Sequence, residues 1–169
     1  LFVLVLMQLF VLPEVLIVEN YAIVAELGLF DTTLGMGLPY MASAFGIFLL
    51  RQAFSTIPLD LEHAARIDGC NEFTIYSRVM LPLIKPALAT QAAFTFVAQW
   101  NDFLWPLVVL KNRDLYTLQL ALASLQGVFG VNWRYISAAA IIALVPTEIF
   151  FFITQRFFTQ GLTSGALKE

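Results

Sequence analysis

Apolar residues in this chain come in long blocks rather than in a soluble helix's stripe or a strand's alternation. The first block runs from Leu1 to about Ala25, uncharged through Pro13 and then carrying Glu14 and Glu19. The second, Thr32 to Leu50, is 19 residues without a charge. The third runs from Pro86 to Leu110 and is interrupted only by Asp102, the fourth from Tyr135 to Gln155, interrupted only by Glu148. A helix that crosses a bilayer needs roughly 20 mostly apolar residues. Blocks of this length without period-2 alternation predict helices, since barrel strands are far shorter. The expected fold is therefore all-α: a polytopic transmembrane helix bundle with spans at about 1–25, 32–50, 86–110 and 135–155.

The connections differ in kind. Gly28–Asp31 is a short turn. Arg51–Lys85 is long and charged, and Lys111–Arg134 is mixed, with an apolar stretch from Leu115 to Leu125 too short to cross. Lysine and arginine set orientation by collecting on the cytoplasmic side. One side holds Arg51, Arg66, Arg78, Lys85, Arg156 and Lys168, the other Lys111, Arg113 and Arg134. This places the long loop and the C-terminus in the cytoplasm.

Composition supports the membrane reading and removes rivals. Of 169 residues, 60% are hydrophobic and 12% charged, with a mean hydropathy of +0.82. Average proteins are about 25% charged. Disorder and a disulfide scaffold are excluded by the apolar content and the single Cys70. A net charge of −3 argues against nucleic-acid binding. One histidine and one cysteine leave nothing for a catalytic metal cluster, and no cofactor is expected. No G-x-x-x-x-G-K-[ST] motif is present, so no phosphate loop for ATP is expected in this chain. The start at Leu1, inside an apolar run, reads as a fragment lacking its N-terminal part; no basic segment or cleavage site marks a signal peptide.

The cytoplasmic loop, about 56–83, carries the most information. Pro58 suits a first helical position, and Asp60 and Glu62 favour the positive end of the helix dipole. Gly69 fits just past that helix's end. Asn71 can cap a second helix that is expected to stop at Leu81-Pro82. Phe73, Tyr76 and Met80 give the second helix an apolar face. Ala64-Ala65 forms a low-relief patch that another surface can approach. The loop is either packed on its own bundle or a docking element for a cytoplasmic partner. Cys70 is expected to be a free thiol in a reducing compartment.

Inside the spans, ionisable groups tend to face the bundle interior or a water path. Trp100-Asn101-Asp102 combines an aromatic face with hydrogen-bonding groups, a combination that suits a sugar. The structural alternative makes Trp100 and Trp105 interfacial residues and puts Asp102 at the membrane edge. Glu148, just after Pro146, is expected to face the bundle and bond a neighbouring helix. Glu14 and Glu19 are expected at the outer interface.

These residues resemble a family. His63-Ala64-Ala65-Arg66-Ile67-Asp68-Gly69, with Val79, Leu81 and Pro82 following, resembles the E-A-A…G…I-x-L-P loop of bacterial ATP-binding-cassette importer permeases. QWNDFLWPL (Gln99–Leu107) and QRFFTQGLTSGALKE (Gln155–Glu169) are similar to the carbohydrate branch, of maltose and glycerol-phosphate type. The resemblance covers nearly the whole chain. Two departures stand out: His63 occupies the position of the family's glutamate, with Glu62 one residue earlier, and the chain ends in Lys168-Glu169.

The resemblance implies the last four spans of a six-span permease in the bacterial inner membrane. It implies a loop that couples to a separate ATPase through Glu62, His63, Ala64, Ala65, Asp68, Gly69, Leu81 and Pro82. The implied partners are two cytoplasmic ATP-binding subunits, a second permease and an extracytoplasmic solute-binding protein, within membrane lipid and without nucleic acid. The implied activity is import of a sugar or sugar-like solute. Glycerol phosphate is the alternative, and a non-transporting membrane scaffold a more distant one. The absence of Lys and Arg between Pro86 and Leu110 tilts toward neutral sugars.

Overall fold

The computed structural model describes the backbone of residues 2–127, 130–131 and 133–166, and the side chains of 2–125 and 133–155. The chain ending is therefore helical backbone as far as Ala166, and the side chains of its sugar-permease-like motif beyond Gln155 lie outside the described residues.

The fold is helical, and three of the four expected spans are broken. The first divides into α1 (Phe2–Gln8) and a 3-10 turn (Pro13–Leu16) running into α2 (Ile17–Glu26), with 95° between the halves. Pro13 explains the break: it has no N–H for the preceding turn and starts a new helix readily. The second divides into α3 (Thr33–Gly37), a short turn over Leu38–Tyr40, and α4 (Ala44–Ser55), bent by 48°. Here the side chains of Thr32 and Ser43 cap α3 and α4, accepting from Gly35 N at 3.0 Å and Gly46 N at 3.1 Å.

The expected third span is interrupted. The helix α8 (Lys85–Trp100) ends well before Leu110, and a second helix, α9 (Leu104–Val109), follows a break at Asn101–Phe103. At 1.5 Å per residue the 16 residues of α8 reach about 24 Å, short of a ~30 Å hydrocarbon layer. The fourth span is continuous: α11 (Trp133–Ala166) passes through Pro146 without interruption, and its Trp133–Gln155 portion has a mean hydropathy of 2.2. Between the third and fourth spans lie α10 (Leu118–Ser124), capped by Thr117, and a two-residue antiparallel pair, β1 (Gln126–Gly127) with β2 (Gly130–Val131). This small hairpin is the only strand structure among the described residues and was not expected.

The buried core sits at one end of the bundle, where α2, α9 and α10 meet. Val24, Trp105, Val109, Leu110 and Leu120 are almost fully enclosed there. Gly35 is required at this end, because a Cβ would lie 2.1 Å from the Leu29 carbonyl oxygen. Asp31, in the left-handed region at φ 59, accepts from the backbone N–H of Lys111 at 2.7 Å and of Asn112 at 2.8 Å. Along the spans, by contrast, large apolar side chains such as Ile142 and Phe152 stay open. That is what helices that meet lipid rather than water require.

Candidate functional site

The loop between the second and third spans folds as the two-helix unit that its sequence predicts, with altered details. Helix α5 spans Leu59–Ile67, and Pro58 takes the N-cap rather than the first helical position. Its backbone is extended there (ψ 132), while its carbonyl accepts from Leu61 N. The C-terminus closes with two bonds, Cys70 N to Ala65 O and Gly69 N to Arg66 O, both 3.0 Å. This is the Schellman arrangement, which needs a residue at positive φ; Gly69 supplies it at φ 80. Cys70 is free and half-buried.

Asn71 caps the second helix by accepting from Thr74 N at 2.8 Å. That helix does not stop at Leu81-Pro82. It starts as α6 (Glu72–Thr74), widens to a π-helix over Ile75–Met80 and continues as α7 (Leu81–Leu83). The physical reason is local. Pro82 has no N–H and its ring crowds the carbonyl four residues back. The wider turn just before it, closed by Leu81 N–H on the Tyr76 carbonyl, absorbs the proline without ending the helix.

The inward-facing side chains also differ from expectation. Ile75 is buried, whereas Phe73 is 77% exposed and Tyr76 stacks on Phe54 at 6.2 Å. The expected Phe73–Tyr76–Met80 packing face is thus replaced by Ile75. The Ala64-Ala65 patch also divides. Ala65 is buried inside the unit and Ala64 lies open. Arg66 ties the two helices together, reaching Glu62 at 2.6 Å on its own helix and Glu72 at 2.9 Å on the next. Glu62 is therefore engaged within the loop, a role the sequence reading did not give it. Leu59, His63 and Ile67 recur every four residues, so they share one face of α5, and all three are exposed. Leu81 is half-buried and Pro82 exposed, at the far end of the second helix, where the chain bends by 72° into α8.

The Trp100–Asp102 group is not brought together as one site. Trp100 donates its indole N–H to the Ala143 carbonyl at 3.0 Å and stacks on Phe96, which stacks in turn on Phe150 at 4.2 Å. It joins the third span to the fourth. Asn101 turns back to the Val97 carbonyl at 2.8 Å. Asp102 goes elsewhere and accepts a hydrogen bond from the Tyr40 hydroxyl in the second span. Trp105 is buried and donates to the Met36 carbonyl at 3.0 Å. Glu148 is exposed in an apolar cleft of about 510 Å³ between α8 and α11, beside Phe94, Val97 and Phe151. Among the described residues, no group of three or more His, Cys, Asp or Glu is placed to hold a metal.

Residues 1–164 match the family described as binding-protein-dependent transport system inner membrane component. The arabinooligosaccharides transport system permease protein AraQ of Bacillus subtilis (strain 168) is 38% identical over 99% of this chain and 59% of its own length. The lactose transport system permease protein LacG of Rhizobium radiobacter is 34% identical over 97% of this chain and 60% of its own. The sn-glycerol-3-phosphate transport system permease protein UgpE of Rhizobium meliloti (strain 1021) is 37% identical over 88% of this chain and 54% of its own. A crystal structure of a bacterial ABC transporter involved in the import of the acidic polysaccharide alginate superposes with a TM-score of 0.71 and 30% identity, covering 83% of this chain and 55% of that one. The chain thus spans a little over half the length of the relatives it matches.

Proposed function

The chain belongs to the family of binding-protein-dependent transport system inner membrane components, and from that premise we propose that it is a permease subunit of an ATP-driven importer for a sugar or sugar-like solute. The two-helix loop carries this reading. It is closed by its own caps and by Arg66, so it moves as a rigid piece, and it presents an open apolar ridge. Leu59, Ile67 and Phe73 are 67%, 87% and 77% exposed. Ala64 beside them leaves room for a partner's surface. An apolar ridge on a charged loop suits a cytoplasmic ATPase cleft, and closure of two ATPases would then displace the loops and switch the pore. The excess of Lys and Arg on the loop side supports a cytoplasmic loop and C-terminus. Partners of this assembly are two ATP-binding subunits, a second permease and an extracytoplasmic binding protein.

The neutral-sugar reading is supported by the absence of Lys and Arg between Pro86 and Leu110. Likeness to the UgpE permease favours glycerol phosphate as the second reading.

The test is recovery of the ATPase with the solubilised full-length permease. Ala64→Trp and Ile67→Asp should each reduce it 5- to 150-fold, as expected for a disruption of about 1–3 kcal/mol, with membrane insertion unchanged. Full ATPase recovery with both variants would remove the loop as the docking element.

A further inference from the structure

Irregular backbone is tolerated at membrane depth only where it is buried in protein or lines a water-filled cavity. In this chain the breaks of the first two spans converge. Leu9 and Val11 from the first break, with Ala42 and Ser43 from the second, line one cleft of about 440 Å³ whose opposite wall is α8. A smaller recess shares Pro13, Asn20, Pro39 and Tyr40 with it and ends at Asp102, in the third break.

The chemistry of the main cleft is specific. Seven of its lining residues carry an amide or a hydroxyl, and none carries a charge. An amide offers both donors and acceptors, and a hydroxyl does both from one atom. Such a lining matches a ligand that is itself dense in hydroxyls and uncharged. Phe45 and Phe94, in edge contact at 5.7 Å, add an apolar wall for the C–H face of a sugar ring. Gln91 sits centrally: its Nε2 donates to Thr95 Oγ1 at 3.0 Å, while its buried Oε1 has no partner among the described residues. Gly46 makes this placement possible, since a Cβ there would lie 2.7 Å from Gln91 Nε2. The volume falls within the ~300–1,000 Å³ common to small-molecule sites. The cleft beside Glu148 offers no comparable lining, because Phe94, Val97, Phe150 and Phe151 dominate it.

We propose that the solute passes this subunit along the polar cleft between the broken first and second spans and α8, where Asn20, Gln91, Thr95 and Gln99 contact an uncharged, polyhydroxylated molecule. Trp100 and Asn101 lie off this route. The proposal rests on the importer reading above and adds the residues and the ligand class to it.

The test uses the full-length permease with its partner subunits and binding protein in proteoliposomes. In a Cys70→Ser background, single cysteines replace Thr95, Gln99 or, as a control on the apolar fourth span outside the cleft, Ile142. Each is treated with a membrane-impermeant cationic methanethiosulfonate. Thr95→Cys and Gln99→Cys should react at least 10-fold faster than Ile142→Cys; equal rates would overturn the cleft as a water path, whatever the solute. Uptake of arabinotriose, lactose and sn-glycerol 3-phosphate is measured in parallel. Gln99→Leu should lower sugar uptake at least 10-fold with ATPase recovery unchanged, and undiminished uptake would overturn the contact. Transport of glycerol 3-phosphate alone would overturn the ligand class. Failure of the importer reading registers separately, as wild-type uptake that does not depend on ATP.

Discussion

The two ends of this molecule are held by opposite means. In the two-helix loop the hydrogen bonds and ion pairs are short in sequence: Cys70 to Ala65, Asn71 to Thr74, Arg66 to Glu62 and Glu72. At the other end the ties join residues far apart in the chain. Asp31 holds Lys111 and Asn112, 80 and 81 residues away, Trp105 reaches Met36 across 69, and Tyr40 reaches Asp102 across 62. One end is a self-contained piece that can be displaced as a unit. The other is a knot that fixes the spans to each other. The importer proposed above would draw on both, one end to receive a push and the other to pass it between the spans.

The contrast is tested most severely at the knot. Trp105→Ala removes a buried indole and its hydrogen bond, and changes of this kind cost about 3–5 kcal/mol. Thermal denaturation of the detergent-solubilised protein should show a large loss, while the loop's ATPase recovery per folded molecule stays the same. A loss of docking equal to the loss of stability would break the division into two regions.

A smaller effect separates the two alanines of the loop. Ala65 is buried, so Ala65→Trp overpacks the unit itself, at about 1–3 kcal/mol. It should expose the loop to limited proteolysis between Ile67 and Glu72, whereas Ala64→Trp should leave the digestion pattern unchanged. Identical patterns for the two variants would mean that Ala65 is not interior.

The smallest effect is one of pH. The Asp31 carboxyl is held below the usual carboxylate range, first by the Asn112 N–H and then by the Lys111 N–H. Its contribution is complete above its unfolded value of about 3.9 and is lost as pH falls through the lower folded value. Proteolysis or hydrogen exchange at Lys111–Asp114 should therefore rise only in that acid window. Asp31→Asn, which keeps an acceptor and tolerates positive φ, should flatten the dependence. An unchanged profile would dissociate Asp31 from the knot.

Sequence alone determined the helical membrane class, the four apolar blocks and the loop's caps at Gly69 and Asn71, because those properties depend on composition and on neighbours within a turn or two. Even locally the legibility stopped at the proline: whether Pro82 ends a helix or is absorbed by a widened turn depends on the hydrogen-bond register before it, and which of Phe73 and Ile75 is interior depended on what packs against the loop. Tertiary structure alone decided which of two adjacent alanines is open. It parted Trp100 and Asp102, neighbours in sequence, between different spans, and gathered Asn20, Gln91, Thr95 and Gln99 into one cleft. Such juxtapositions join residues up to 80 apart, and no periodicity encodes them. They follow from where the spans break and from which polar groups must find partners once water is removed.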